Sequence, residues 1–229
     1  MQNSLDINQL IEAAEEVIEC QRVLSNTDDN IVTELLRFAD SFVEWDHYPS
    51  DDVIDQISGA QYYYHAHSNS KRGFTEHGHF HTFMKNTKKK SPDNLPLTHI
   101  IAISMDAYGA PQALFTVNHW VTGGIWENAN VVKSFLDDFF IDHAKPSWVA
   151  NRWINAMLKL YRSEIIELVQ KRDLSIKKYN TQHPNKNASK MKELEITSYL
   201  PISINKKLQE LLSIEKNIKN KKHAASLKI

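Results

Sequence analysis

One cysteine, Cys20, stands among 229 residues, which excludes an intramolecular disulfide and any multi-cysteine zinc knuckle. Its helical neighbours mark it as a small core residue, and any metal must then be held by nitrogen and oxygen. No apolar run approaches the roughly 20 residues needed to cross a bilayer. The first residues, MQNSLDINQL, lack a basic stretch followed by an apolar one. A cytoplasmic location without a membrane partner is the expectation. No internal repeat of useful period is present. Basic residues are scarce at the start, where residues 1–60 hold fourteen Asp and Glu against Arg22 and Arg37 alone. Acids are scarce at the end, where residues 171–229 hold five against fourteen Lys and Arg. The two ends are therefore differently solvated surfaces or face each other. Because no aromatics interleave with the terminal lysines, nucleic acid is not the expected partner.

A hydrophobic share of 41% and a charged share of 24% describe a globular domain with a sizeable core. Asp6 with Gln9 predicts a capped helix through Leu10, Ala14, Val17, Ile18 and Leu24. A second helix is expected from about Asp29 to Trp45, capped by Asp28 or Asp29, with Ile31, Leu35, Phe38, Phe42 and Val43 inward. After Tyr48-Pro49 the period changes to two. A short strand over Asp52 to Asp55, the Tyr and His strands, Leu97 to Met105, Ala113 to Trp120 and a last strand within Glu195 to Ser203 follow. Asn130 caps one expected helix, with Phe135, Phe139 and Phe140 inward, and Pro146 starts a longer one. A polar connection, KKYNTQHPNKNASKMK, precedes the last strand, and a Lys-rich helix runs from Asn205 to about Lys219. The fold class is α+β: an antiparallel sheet of four to five strands covered by helices from both ends of the chain. Residues 1–47 form its N-terminal helical part, 48–203 the main domain and 204–229 a basic helix and tail.

The least probable stretch is QYYYHAHSNSKRGFTEHGHFHTFM, residues 61–84, which holds five of the eleven histidines. With period two, His65 and His67 share one strand face with Tyr63, and His77, His79 and His81 share a face of the next. If the two strands form a hairpin across Ser68 to Thr75 with odd residues opposite odd, His65 meets His79, His67 meets His77, and all five imidazoles lie on one face. A one-residue slip would divide them.

Neutral imidazole is a ligand for zinc, iron or copper, and two adjacent strands can present the three or four ligands a site needs. The expected cofactor is a divalent transition metal of that group, bound by His65, His67, His79 and His81. His65, His79 and His81 form the inner set. Glu76, His77 and Tyr63 are the candidate catalytic groups, as proton carriers or as supports to the ligands. His99, His119 and His143 are fainter candidates. Asp142 to Trp153 is a second candidate region, where Arg152 or Lys145 receives a carboxylate or phosphate at a helix start and Asn118 lines the same cavity. The reading is a metal-dependent enzyme, hydrolytic or oxidative, acting on a small-molecule substrate. Three others stand beside it: a metal or haem binding protein without turnover, a structural or partner-binding protein with a metal-free His and Tyr network, and a single-strand DNA nickase. The triplet His79-Phe80-His81 resembles the His-hydrophobe-His signature of such nickases, for which Tyr161 would be the nucleophile.

The combination QYYYHAH, EHGHFHTF, LTHIIAISMDAYGAP, NHWVTGGIW and IDHAKPSWVANRW, spanning roughly Tyr48 to Ser203, resembles an uncharacterised bacterial family of unknown function. That resemblance implies family membership and carries over no catalytic role.

Overall fold

A computed structural model describes residues 6–37, 39–67, 76–90 and 96–226, with side chains to Lys221. The expected hairpin loop Ser68–Thr75, Phe38 and residues 91–95 lie outside the described residues. Six antiparallel strands form one sheet in chain order: β1 (Tyr48–Ile54), β2 (Ala60–His65), β3 (Gly78–Lys85), β4 (Leu97–Met105), β5 (Pro111–Val117) and β6 (Ile196–Pro201). The α+β class is as the periodicity implies, with one strand more than expected. The strands β2 to β5 are almost wholly buried. Burial of successive residues, which point to opposite sides, means that the sheet is covered on both faces.

The helices are α1 (Ile7–Ser25), α2 (Ile31–Leu36), α3 (His119–Thr122), α4 (Ala129–Asp138), α5 (Trp148–Leu160), α6 (Arg162–Gln182) and α7 (Ile204–Ser226). One core joins Tyr62, Tyr64, Phe80, Ile101, Ile103 and Leu114 of the sheet to Val17, Leu136, Trp153, Ile154 and Leu168 of the helices. One face of the sheet is thereby given to the helices. Within that core Asn151 is 1% exposed. It accepts from the Tyr62 hydroxyl at 2.6 Å and donates to the carbonyls of His143 and Lys145 at 2.7 and 3.0 Å. The basic helix α7 lies against the acidic α1, so the two oppositely charged ends of the chain do meet.

Helix α1 begins as expected, with the Asp6 N–H donating to Gln9 Oε1 at 3.0 Å. The second helix does not run to Trp45. It stops at Leu36, and its cap is Asn30, whose Oδ1 accepts from the amides of Val32 and Thr33 at 2.9 and 3.0 Å. Backbone donors farther on are satisfied without a helix. The Val43 amide donates to the Tyr48 hydroxyl at 2.6 Å and the Trp45 amide to the Ala66 carbonyl at 2.8 Å. Phe42 and Val43, expected inward, are each 46% exposed, as is Phe140 at 52%. The long helix expected from Pro146 is two helices divided at Tyr161, and α6 continues into the stretch expected to be a connection. Helix α4 is capped by Asn128 rather than Asn130.

Candidate metal centre

Strands β2 and β3 pair odd with odd: Tyr63 with His81 and His65 with His79. Even residues of both strands enter the helical core, so the odd residues share the opposite face. His65, His79 and His81 are 9%, 0% and 1% exposed. Each offers one ring nitrogen, and these atoms lie within 4.8 Å of one another. The Nε2 atoms of His65 and His79 are 2.7 Å apart.

The other ring nitrogens orient the set. Glu76 Oε1 stands 2.9 Å from His79 Nδ1, and a carboxylate can only accept, so Nδ1 carries the proton and Nε2 is left as the acceptor facing His65. His81 Nδ1 contacts His99 Nε2 at 2.9 Å. A carboxylate behind a ligand imidazole is the usual support of a metal-binding histidine, fixing tautomer and ring direction. The motif also explains its glycine. A Cβ on Gly78 would lie 2.4 Å from the Tyr64 hydroxyl and 2.5 Å from the His65 carbonyl, so only glycine lets β2 and the Tyr64 phenol come this close.

His77 is the exception to the shared face. It precedes β3, and its Nδ1 lies 2.6 Å from the Tyr64 hydroxyl, while its ring stacks on Phe42. Tyr64 belongs to the helical core, so His77 turns away from the triad. His67 stays with the cluster, its ring 5.3 Å from those of His65 and His79, and Trp45 lies flat upon it at 4.2 Å. Tyr63 meets both His65 and His81 at 5.4 Å between rings. Burial, with Asp52 adding to it, raises its phenol above the ordinary value, so this hydroxyl is neutral.

His99 is brought in by an irregularity. Thr82 pairs with Ile101 but Phe83 with His99, leaving Ile100 as an extra residue in β4. Simple alternation would put His99 on the same face as Ile101 and Ile103, among the helices. The bulge turns it onto the imidazole face. Burial, with Arg172 and His79 adding to it, pushes His99 down to about 3, so it is neutral and can accept from or donate to His81.

Ser104 is the residue that sequence reasoning missed. It is the direct partner of His79 in the β3–β4 ladder and is fully buried. Its hydroxyl has no hydrogen-bond partner among the described residues. A buried hydroxyl left without a partner is costly, and this one lies on the imidazole face. It fits a site that receives an exogenous ligand.

The second candidate region is elsewhere. Arg152, on α5, pairs with Glu16 at 2.5 Å and lies over the Trp148 ring at 4.4 Å. Its guanidinium is thus engaged by α1, on the helical side of the sheet. Asn118 caps α3 and donates to the Ala188 carbonyl at 2.7 Å. It ties β5 to the segment before β6. The His119 ring contacts the Gly124 carbonyl at 3.1 Å. Tyr161 belongs to the helical core, across the sheet from His79 and His81, so the nickase reading loses its nucleophile.

An α+β domain with a buried, carboxylate-supported imidazole triad is the class that fold and site define. The chain belongs to the family described as a domain of unknown function, DUF6969, which matches residues 11–202. No curated protein and no solved structure matches the chain. No helix among the described residues is long and apolar enough to cross a membrane.

Proposed function

We propose that the chain is a metal-dependent enzyme in which His65, His79 and His81 hold one first-row divalent ion and a small molecule is the substrate. The observation that carries this reading is the triad itself, three buried imidazoles with ligand atoms within 4.8 Å of one another. An ion on three imidazoles keeps a further position open and supplies a Lewis acid there. The remaining chemistry belongs to the chain. Glu76 holds His79 in the ligating tautomer, His99 orients His81, and the Ser104 hydroxyl is placed to hold the incoming ligand. Because Glu76 bonds a ring nitrogen on the far side of His79, the donor set is all nitrogen. That favours zinc or copper over non-haem iron. Among the described residues the histidines pack on one another and on Phe115 and leave no apolar cavity of the size a haem needs beside an axial ligand.

One observation favours a second reading, a metal-free hydrogen-bonded network. Zn–N bonds of about 2.0–2.1 Å in a tetrahedral shell set ligand nitrogens about 3.3 Å apart, whereas His65 and His79 approach to 2.7 Å. A metal must therefore replace the shared proton and open the pair by about half an ångström. Titration with Co(II) decides between them. The metal reading expects visible d–d bands of a nitrogen-ligated, four-coordinate ion that saturate at one equivalent. A protein that remains colourless throughout is the network.

A further inference from the structure

Two aromatic residues ahead of β1 close the imidazole face at the sheet edge. The indole of Trp45 lies on His67, centroids 4.2 Å apart and planes 8° apart. The imidazole of His47 lies on Tyr63 at 3.6 Å and 9° and meets His65 edge-on at 6.0 Å. Both residues also line a cavity of 670 Å³ between the end of α2 and β1, a volume ordinary for a small-molecule site. The pair thus forms the wall between that cavity and the histidines.

The wall is held firmly. Trp45 and Asp52 adopt positive φ, 75° and 54°, a conformation that Asp tolerates and a bulky residue such as Trp45 rarely takes. The Trp45 amide donates to the Ala66 carbonyl at 2.8 Å. Asp52 spends both carboxylate oxygens here, Oδ1 on His47 Nδ1 at 2.8 Å and Oδ2 on Gln61 Nε2 at 2.7 Å.

Among the described residues the lining has one sign: Asp40 and Asp46 line the cavity and no Lys or Arg does. Between Arg37 and Lys71 the sequence has no Lys or Arg, while carrying Asp40, Glu44, Asp46, Asp51, Asp52 and Asp55. Trp45 and Tyr48 add aromatic walls. Carboxylates and aromatic faces in one cavity of this size select an organic cation, held by charge at one end and by ring contact along its stem.

We infer that this cavity binds a small organic cation, an amine or a guanidinium compound. Its charged end rests on Asp40 and Asp46, and the rest of the molecule lies along Trp45 and His47 on the cavity side of the wall. The site stands on the cavity and its lining, independently of the metal centre behind the wall.

The test uses the full chain loaded with metal. Calorimetry compares benzylamine, 1,4-diaminobutane and benzylguanidine with benzyl alcohol and benzoate. At least one cation is expected to bind tenfold or more tightly than its neutral and anionic counterparts. Asp40→Asn with Asp46→Asn, both exposed positions, is expected to weaken that cation at least tenfold and leave the metal content unchanged. Equal binding of the three charge types, no binding by any of the cations, or unchanged affinity in the variant overturns the inference. So does loss of metal in the variant, which would assign the acids to the ion. Cation binding that persists in a chain shown to hold no metal supports the site while removing the metal reading.

Discussion

His65 and His79 stand directly opposite each other across the β2–β3 ladder, and their Nε2 atoms are 2.7 Å apart. Two neutral imidazoles at that separation share one proton, which a divalent ion can displace without breaking any backbone pairing. The strands supply the approach, and Glu76 decides which nitrogen of His79 faces His65.

That support can be tested on its own. Glu76→Gln still accepts from His79 Nδ1 but without charge. Removing such a carboxylate costs about 10–100-fold in metal affinity, and a competition titration against a chromophoric chelator is expected to show a loss in that range. Unchanged affinity would place Glu76 outside the centre.

Ser104 separates ligand binding from stability. A buried hydroxyl without a partner costs about 1–3 kcal/mol, so Ser104→Ala is expected to leave the urea midpoint unchanged or raise it. The same substitution is expected to weaken azide binding to the Co(II) protein several-fold. A clear fall in stability with azide affinity intact would give the serine a structural role instead.

On the helical side, Asn151 tests the packing that supports the sheet. Asn151→Ala strands the Tyr62 hydroxyl and the carbonyls of His143 and Lys145. With about 1–3 kcal/mol for each buried group left unsatisfied, urea unfolding is expected to show a loss of about 3 kcal/mol or more. A loss below about 1 kcal/mol would mean that the three groups find other partners.

Much of this centre was legible in residue parity. Odd-numbered histidines at 65, 79 and 81, with Tyr62, Tyr64 and Phe80 at even positions, fix both the register and the buried face, because a slip by one would drive imidazoles into the helical core. His99 was read only as a fainter candidate, since its face depends on one extra residue in β4. His77 departs because its strand starts one residue later, where the chain still turns. The premature end of α2 follows from bonds to Tyr48 and Ala66 that no local periodicity records. Ser104 carries no signal in sequence, as its meaning lies in having no partner among the described residues. Arg152 and Asn118 sit in patterns that suggest ligands but are engaged by Glu16 and Ala188.

The most direct measurement is elemental analysis of untagged protein purified without chelator, beside the His79→Ala, His81→Ala double variant. The account predicts close to one equivalent of a first-row metal in the native chain and its loss in a variant that remains folded. The absence of metal from the native chain, even after reconstitution with zinc and copper, would contradict it and leave the imidazoles as a hydrogen-bonded network.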